Sequence, residues 1–488
     1  MTSATPATGR TTLEDLAGEL LLDILDYISI KNRYDIDFKT WEGVAEIGLR
    51  VSTLHSLTLV SRKLHRIANP LLYSVLTHGG TALRRRQFLR TVVRRPDLAT
   101  LVKEVRFSYF DWVADNSGLS PEFSDHLEAA RLDDTWDGNT ATAFKRALME
   151  SHNDSDVALL FSKLPNLTIL EFDVDETWFH TWKWLLSVVR RAVATGSGPF
   201  SALRHLKAKY GNENASGFNP LFIQDFVGLP SLKSIEISGA YCEERDGGRP
   251  LSLLSNNNIQ TLTFWSSSPG DDFVRCALEA FPQLKAFYFS WGDPLFMELE
   301  DFFQALRARR DTLEHITILT LSQKRNHWTQ MIRRNVPVAP IGSFKDFASL
   351  KRLEITDVLL SGLAQYNFDL GPPQDIHFVD APDYQVLVDV FPPSLEVLRI
   401  EYYGGCTEAS AIHRQQFYEQ LLKTISEMPN FCRLEILYHE DDKRDGEKDE
   451  SLGWLVKTAG ESGVAVDIIV WDKAKHEGFA TAKVCRGD

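Results

Sequence analysis

Two periodicities divide this chain. From Leu13 to Leu76 apolar residues recur at helical spacing, and beyond that a six-residue phrase with strand-like alternation keeps returning. The first helical stretch is EDLAGELLLDILDYI. Leu16, Leu20, Ile24 and Ile28 fall four residues apart, and Leu13, Leu21 and Leu25 widen the stripe into one apolar face. The stretch from Lys31 to Leu54, KNRYDIDFKTWEGVAEIGLRVSTL, reads as a loop of about two dozen residues. Leu54, Leu57 and Val60 then supply a turn or two of apolar helix. Ser61 is a good N-cap, and RKLHRIANPLLY starts a third helix on Leu64 and Ile67. Asn69-Pro70 is expected to break or bend it, because proline disfavours helix at the residue before it. A helical domain of about 60 residues buries proportionally little surface, so a partner is expected to stabilise it.

The returning phrase is apolar-x-x-apolar-x-apolar. It occurs as VKEVRF (Val102), LTILEF (Leu167), LRHLKA (Leu203), LKSIEI (Leu232), IQTLTF (Ile259), LKAFYF (Leu284), LEHITI (Leu313), LKRLEI (Leu350), LEVLRI (Leu395) and FCRLEI (Phe431). From Leu203 the starts lie 29, 27, 25, 29, 37, 45 and 36 residues apart. Positions four and six are expected to point into a core as on a strand. Helix-like segments such as DDFVRCALEAFP and ELEDFFQALRARRD lie between the phrases. A strand followed by a helix, repeated, resembles an irregular leucine-rich repeat, each unit burying its apolar face against its neighbours. The regular Asn/Cys signature is absent, and some intervals exceed the usual ~20–29 residues. A doubly wound open sheet is the structural rival, but its strands are usually continuous apolar runs. The expected fold class is therefore α/β: a small all-α three-helix domain followed by a strand/helix solenoid of horseshoe form. The expected organisation is a disordered tail at 1–12, helices at 13–78 and repeats at 79–488.

Composition narrows the class. The 488 residues are 43% hydrophobic and 25% charged, a globular balance, with a formal net charge of -14. That balance argues against broad nucleic-acid binding, which relies on Lys and Arg neutralising phosphates. The five cysteines (Cys242, Cys276, Cys406, Cys432 and Cys485) include no C-x-x-C pair, so neither a disulfide framework nor a zinc site is expected. The start MTSATPATGRTT has no apolar core of a signal peptide, and no apolar run approaches membrane-spanning length. A cytoplasmic or nuclear protein with no membrane partner is expected.

The helical phrases carry a second resemblance. LAGELLLDILDYI followed by LHSLTLVSRKLHRIANPLLY resembles the F-box, in the form common among fungal F-box proteins. Leu16, Glu19, Leu20, Leu21 and Ile24 match the first half of the family motif. Leu54, Leu57, Val60, Ser61, Leu64, Ile67 and Ala68 match the second. Ala17 stands where the family usually has proline, and the insert between the halves is long. The resemblance covers about 60 residues. It implies that these helices dock a Skp-type adaptor and through it a cullin-RING ubiquitin ligase. Leu16, Glu19, Leu20, Ile24, Leu57, Val60, Ser61, Leu64 and Ile67 would make the contact.

Positions three, five and seven of the phrases are expected to form the concave surface that holds a target protein. They place His205, Lys207 and Lys209 on one strand and Ser234, Glu236 and Ser238 on the next. Trp265 and Tyr288 follow with Trp291 just beyond, then Arg352, Glu354, Arg399 and Glu401. His205, Lys207 and Lys209 suit an acidic or phosphorylated peptide, or equally form a solvated strand balanced by Glu171 and Glu236. Trp265 and Tyr288 are either binding anchors or covered by a neighbouring loop. The basic run RRRQFLRTVVRR, from Arg84 to Arg95, reads as a solvated helix face around Leu89, Val92 and Val93. No phosphate-binding glycine loop, nucleophile elbow or metal-ligand spacing occurs, so no cofactor and no catalytic residue is expected. The expected function is target recognition within an SCF-type E3 ligase. The alternative is a non-ligase interaction scaffold in which the helices cap the repeats.

Overall fold

The computed structural model describes residues 16–30, 41–77, 82–107, 138–149, 155–174, 179–210, 220–241, 255–291, 299–319, 341–361, 389–402, 408–439, 450–462, 464–471 and 484–485, together with residues 13, 217 and 387. The tail expected at 1–12 lies outside them. By compactness the chain divides into two units, one of residues 1–173 and 177–203, the other of residues 174–176 and 204–488. The division falls beside the strand that begins at His205.

The first unit opens with α1 (Gly18–Ile28), α2 (Trp41–Val60) and α3 (Arg62–Ser74). Ser61 caps α3 as expected, its Oγ accepting the Leu64 N–H at 3.2 Å. Two expectations are corrected. The segment from Lys31 to Leu54 is not a single loop, because Trp41 onward is one continuous helix. Ile47, Leu54 and Thr58 share its buried stripe at helical spacing, and that packing outweighs the low helix propensity of Gly43 and Gly48. In addition, Asn69-Pro70 does not break α3, which continues through Pro70 to Ser74. A proline in a helix interior costs about 3 kcal/mol, which the burial of Leu64, Ala68 and Leu71 offsets. The three helices share a core of Leu25, Leu54, Ala68 and Leu71, flanked by Ile28, Leu57, Ile67 and Leu72.

A second cluster of Ile30, Ile47 and Val75 seats the helices against β1 (Val75–Thr77). The unit continues through α4 (Ala82–Arg94), α5 (Pro96–Ala99), β2 (Glu104–Phe107), α6 (Gly138–Met149), α7 (Ser155–Ser162), β3 (Ile169–Val174) and α8 (Phe179–Thr195). β1, β2 and β3 are parallel, with Val75, Glu104 and Ile169 in register. In α4 the basic run behaves as an amphipathic helix: Leu89 and Val92 are buried, while Arg94 and the adjoining Arg95 are exposed.

The second unit repeats one theme. β4 (His205–Tyr210) is followed by a 3-10 turn at Pro220–Ile223 and α9 (Gln224–Val227). Then come β5 (Ser234–Ser238), β6 (Thr261–Ser267), α10 (Asp271–Ala280), β7 (Ala286–Trp291) and α11 (Leu299–Arg307). β8 (His315–Leu319), β9 (Arg352–Thr356), α12 (Asp357–Ser361), β10 (Val397–Tyr402) and α13 (Glu408–Ser426) follow. The unit ends with β11 (Arg433–His439), α14 (Glu450–Glu461), β12 (Val466–Trp471) and β13 (Val484–Cys485). From β5 to β12 every strand pairs parallel with its predecessor, and β13 turns back antiparallel on β12. The order is strictly sequential, without the reversal that defines a doubly wound sheet.

The phrase explains the ladder. Positions four and six are buried strand after strand: Leu206 and Ala208, Ile235 and Ile237, Leu262 and Phe264, Phe287 and Phe289, Ile316 and Ile318, Leu353 and Ile355, Leu398 and Ile400, Leu434 and Ile436. At position two, each residue's N–H reaches the carbonyl of its counterpart one phrase earlier. The chain of bonds runs from Lys233 to Arg204, Gln260 to Lys233, Lys285 to Gln260, and onward to Cys432 donating to Glu396. Side chains in the turns before the strands tie successive phrases further. Asn256 Nδ2 donates to the Val227 and Leu229 carbonyls at 2.6 and 2.9 Å. Ser349, Ser394 and Asn430 make like bonds to Asp311, Leu350 and Pro393, each 2.9 Å. The Asn256 bonds satisfy carbonyls that would otherwise be buried without partners.

An aromatic cluster lies around β6 and β7, where Phe264, Phe287, Phe289, Trp291 and Phe302 are linked by ring contacts at centroid distances of 4.9–6.3 Å. Truncation of Phe289 leaves a void that rigid neighbours on both strands cannot fill. Phe289→Ala is expected to destabilise the second unit by about 3–5 kcal/mol, read as a lower denaturant midpoint in chemical unfolding. A loss below about 1 kcal/mol would refute the packing described.

Candidate functional site

Each unit presents one surface that the fold itself does not need. In the first unit it is built on α1. Two long side chains hold this helix at its ends: Lys63 Nζ donates to the Leu16 carbonyl at 2.7 Å, and Arg50 Nη1 donates to the Tyr27 carbonyl at 2.8 Å. Arg50 is itself steadied by Glu46, four residues away, at 2.6 Å. With the helix so oriented, Leu21 and Leu25 point into the helical core and their neighbours in sequence point out. Leu20 is 53% exposed, Ile24 42% and, at the end of α2, Val60 63%. Leu20, Ile24 and Tyr27 follow one another at i, i+4 and i+7, a continuous outward stripe. Leu13, Leu22, Leu49, Val51 and Leu59 complete the set. Among the described residues, every exposed large hydrophobic lies in the first sixty positions.

Of the residues implicated by the F-box resemblance, Glu19, Leu20, Ile24 and Val60 are exposed and Leu16, Leu57 and Ile67 half-buried. Ser61 is half-buried and serves α3 as its cap. Leu64 is corrected from contact residue to core residue: it is 1% exposed, on the same inward side of α3 as Ala68 and Leu71.

In the second unit the candidate surface is the sheet face opposite the core. Position five forms one lateral row in register, Lys207, Glu236, Thr263, Tyr288, Thr317, Glu354, Arg399, Glu435 and Asp467. Position three adds His205, Ser234, Thr261, Ala286, His315, Arg352, Val397 and Arg433. Neighbours along a row are ~4.8 Å apart, within reach of one another's side chains.

At the β4 end, Lys207 pairs with Glu236 at 2.6 Å, as the balanced-strand reading anticipates. His205 is exposed by area yet crowded by the strand surface. That desolvation, with Arg204 alongside, lowers its pKa, so at pH 7 it is neutral and adds no cation beside Lys207 and Lys209. Trp265 is half-buried at a bulge between Phe264 and Ser267, where Ser267 Oγ donates to the Trp265 carbonyl at 2.8 Å. Trp291 is corrected: it shares the parity of Phe287 and Phe289, so it points into the core and packs on Phe302. Glu401 is buried too and accepts from Thr356 Oγ1 at 2.6 Å.

Towards β12 the face becomes an ionic lattice. Arg352 donates through Nε to Glu354 at 2.7 Å and through Nη2 to Glu435 at 2.8 Å. Arg399 donates through Nε and Nη2 to Glu435 at 2.8 and 2.7 Å, with Nη1 3.4 Å from Glu354. Arg433 lies 3.6 Å from Glu435 and 3.4 Å from Asp467. On the other side, His315 Nε2 stands 3.3 Å from Glu354, and a 3.0 Å hydrogen bond joins His315 Nδ1 to the Tyr288 hydroxyl. The tautomer carrying its proton on Nε2 satisfies both contacts. Burial pushes the Glu354 carboxyl up, but hydrogen bonding from His315 and the Arg399 and Arg352 charges outweigh it and hold the group at about 2. Burial and the Glu354 charge raise Tyr288. His315, Arg433, Glu435 and Asp467 are not singled out by the sequence, although aligning the phrases at position five shows the sign alternating over Glu354, Arg399 and Glu435.

No protein-family model matches the chain, and no curated protein matches it. Among the described residues, no group of three or more His, Cys, Asp or Glu could hold a metal ion. Among the described residues, no helix is long and apolar enough to cross a membrane.

The lattice makes stability pH-dependent in a stated direction. Glu354 has a lower pKa folded than unfolded, about 2 against 4.5. Its contribution is therefore present above pH 4.5 and lost as pH falls towards 2. Wild type should lose on the order of 3 kcal/mol of unfolding free energy from this group across that window. Glu354→Gln should be less stable at pH 7 and show a correspondingly flatter acid limb in denaturant titrations. An identical acid limb in the variant would refute the assignment.

Proposed function

We propose that this chain is a substrate-recognition subunit of an SCF-type cullin-RING ubiquitin ligase. In this reading α1 to α3 act as an F-box that docks a Skp-type adaptor. The strand/helix array acts as a leucine-rich-repeat-like solenoid whose open sheet face holds the target protein. Catalysis would come from the partners: holding a target lysine beside a ubiquitin-loaded enzyme raises effective concentration without a catalytic residue in this chain.

The observation that carries the reading is the exposed stripe of Leu20, Ile24 and Tyr27, with Val60 at the end of α2. Apolar side chains concentrated in one short helical region, while the rest of the described chain keeps its large hydrophobics covered, favour a protein partner over chance exposure. The motif positions Leu20, Ile24 and Val60 are among these exposed residues.

A second reading has its own observation. Ile30 and Ile47 pack on Val75 of β1, so the helices also shield that strand, as a cap on a non-ligase scaffold would. Capping employs the inward residues and leaves the outward stripe without a use, which is why the adaptor reading is preferred.

The test is capture of a purified Skp-type adaptor by the full chain. Leu20→Asp should abolish capture and leave the melting temperature within about 2 °C, because a charge at an exposed site costs little. Leu64→Asp should instead unfold the helical region, since it buries an unpaired charge. Undiminished capture by Leu20→Asp, or no capture by wild type, would sink the ligase reading.

A further inference from the structure

The ionic lattice of the second unit has more donors than its carboxylates can use. Glu354 is engaged on both oxygens, Oε1 by Arg352 and His315 and Oε2 by Arg399. Glu435 Oε2 accepts from both Arg352 and Arg399, and its Oε1 faces Arg433. Each guanidinium carries five N–H donors. Arg352 Nη1 and Arg433 Nη2 find no acceptor among the described residues, and the Arg399 Nη1 contact to Glu354 is long at 3.4 Å. The surplus lies on the solvent side, where Arg352 and Arg399 keep just over a quarter of their side-chain surface accessible and Arg433 about half.

Stability alone gives no reason for such an arrangement. Replacing a half-buried ion cluster with apolar side chains of similar size is often neutral or stabilising, and the other sheet face shows that this chain builds apolar strand faces readily. The lattice does hold three arginines in fixed orientations, the condition under which a planar guanidinium edge recognises an anion.

We propose that the open donor edges of Arg352, Arg399 and Arg433, with Tyr288 and His315 alongside, receive the carboxylate of an Asp or Glu side chain from a protein segment lying across β8 to β11. A carboxylate fits better than a phosphate on charge. Arg352, Arg399 and Arg433 are already matched by Glu354, Glu435 and Asp467, so the vacant N–H edges offer directed hydrogen bonds and no spare positive charge. A carboxylate brings a single negative charge to that neutral set and a phosphate dianion brings twice that, so repulsion from the fixed carboxylates is smaller for the carboxylate. Tyr288, half-buried with its hydroxyl engaged by His315, offers ring surface to the apolar neighbours of such a residue. As the place where a target is held, this surface rests on the ligase reading; its binding chemistry does not involve the adaptor.

The test is selection of random displayed peptides on the full chain, wild type beside the Arg352→Gln/Arg399→Gln double variant. Wild type should enrich peptides with Asp or Glu at one fixed position, and the double variant should lose that enrichment. A synthetic copy of the selected peptide should bind about tenfold more weakly when that residue becomes its amide, the scale of one charge-assisted hydrogen bond. If the double variant does not fold, Arg433→Gln makes the same comparison at a more exposed position and should weaken binding several-fold. No acidic enrichment in wild type would overturn the proposal. So would unchanged binding by whichever folded variant is used, or at least tenfold tighter binding of a phosphoserine analogue. Adaptor capture by these variants reports on the ligase reading separately, since none of the substitutions touches α1 to α3.

Discussion

In-register parallel pairing is the constraint from which the second unit follows. Because Leu206, Ile235, Leu262, Phe287, Ile316, Leu353, Leu398 and Leu434 occupy equivalent rungs, their apolar side chains line one face together. The same rungs oblige the intervening residues to line the other. A slip of one residue in β9 or β10 would carry Glu354 or Arg399 into a packed interior and Leu353 or Leu398 out of it, an exchange costing many kcal/mol. The position-two backbone bonds and the turn bonds from Asn256, Ser349, Ser394 and Asn430 hold that register at the point where each strand starts.

The two surfaces are products of different physics. The α1 stripe is apolar and lies on a helix whose ends are pinned by Lys63 and Arg50, so what it offers is area removed from water. The lattice between β7 and β12 is polar, half-buried and internally neutralised, so what it offers is direction: donors at fixed angles in a setting less polar than water. In the proposed reading, the first surface would gain from association almost regardless of detail, and the second would discriminate.

The strand phrase was legible because alternation survives any change of loop length, and all eight strands from β4 to β11 bury the two positions that the pattern indicates. The errors have local causes. An aromatic just beyond the phrase reads as part of the open face, yet parity with Phe287 and Phe289 turns Trp291 into the core. The helix from Trp41 was hidden by Gly43, Gly48 and a mixed pattern whose buried stripe, Ile47, Leu54 and Thr58, includes a polar member. Pro70 signals a break locally, but α3 continues because Leu71 on its far side is wanted in the core. Likewise the Arg352, Arg399 and Glu435 cluster joins residues up to 83 positions apart, a proximity that only strand register creates.

From β4 to β12 each strand pairs only with its sequence neighbours, so the distance a new segment adds along the chain is not a distance added through the fold. The interval between Leu350 and Leu395 is 45 residues and that between Ile259 and Leu284 is 25, yet both bring the next strand to the same rung. Lengthening a flexible connection costs only about 0.6 kcal/mol per doubling. Such an architecture is permissive to insertion between its rungs while unforgiving within them, which gives evolution a place to vary the connections without rewriting the scaffold.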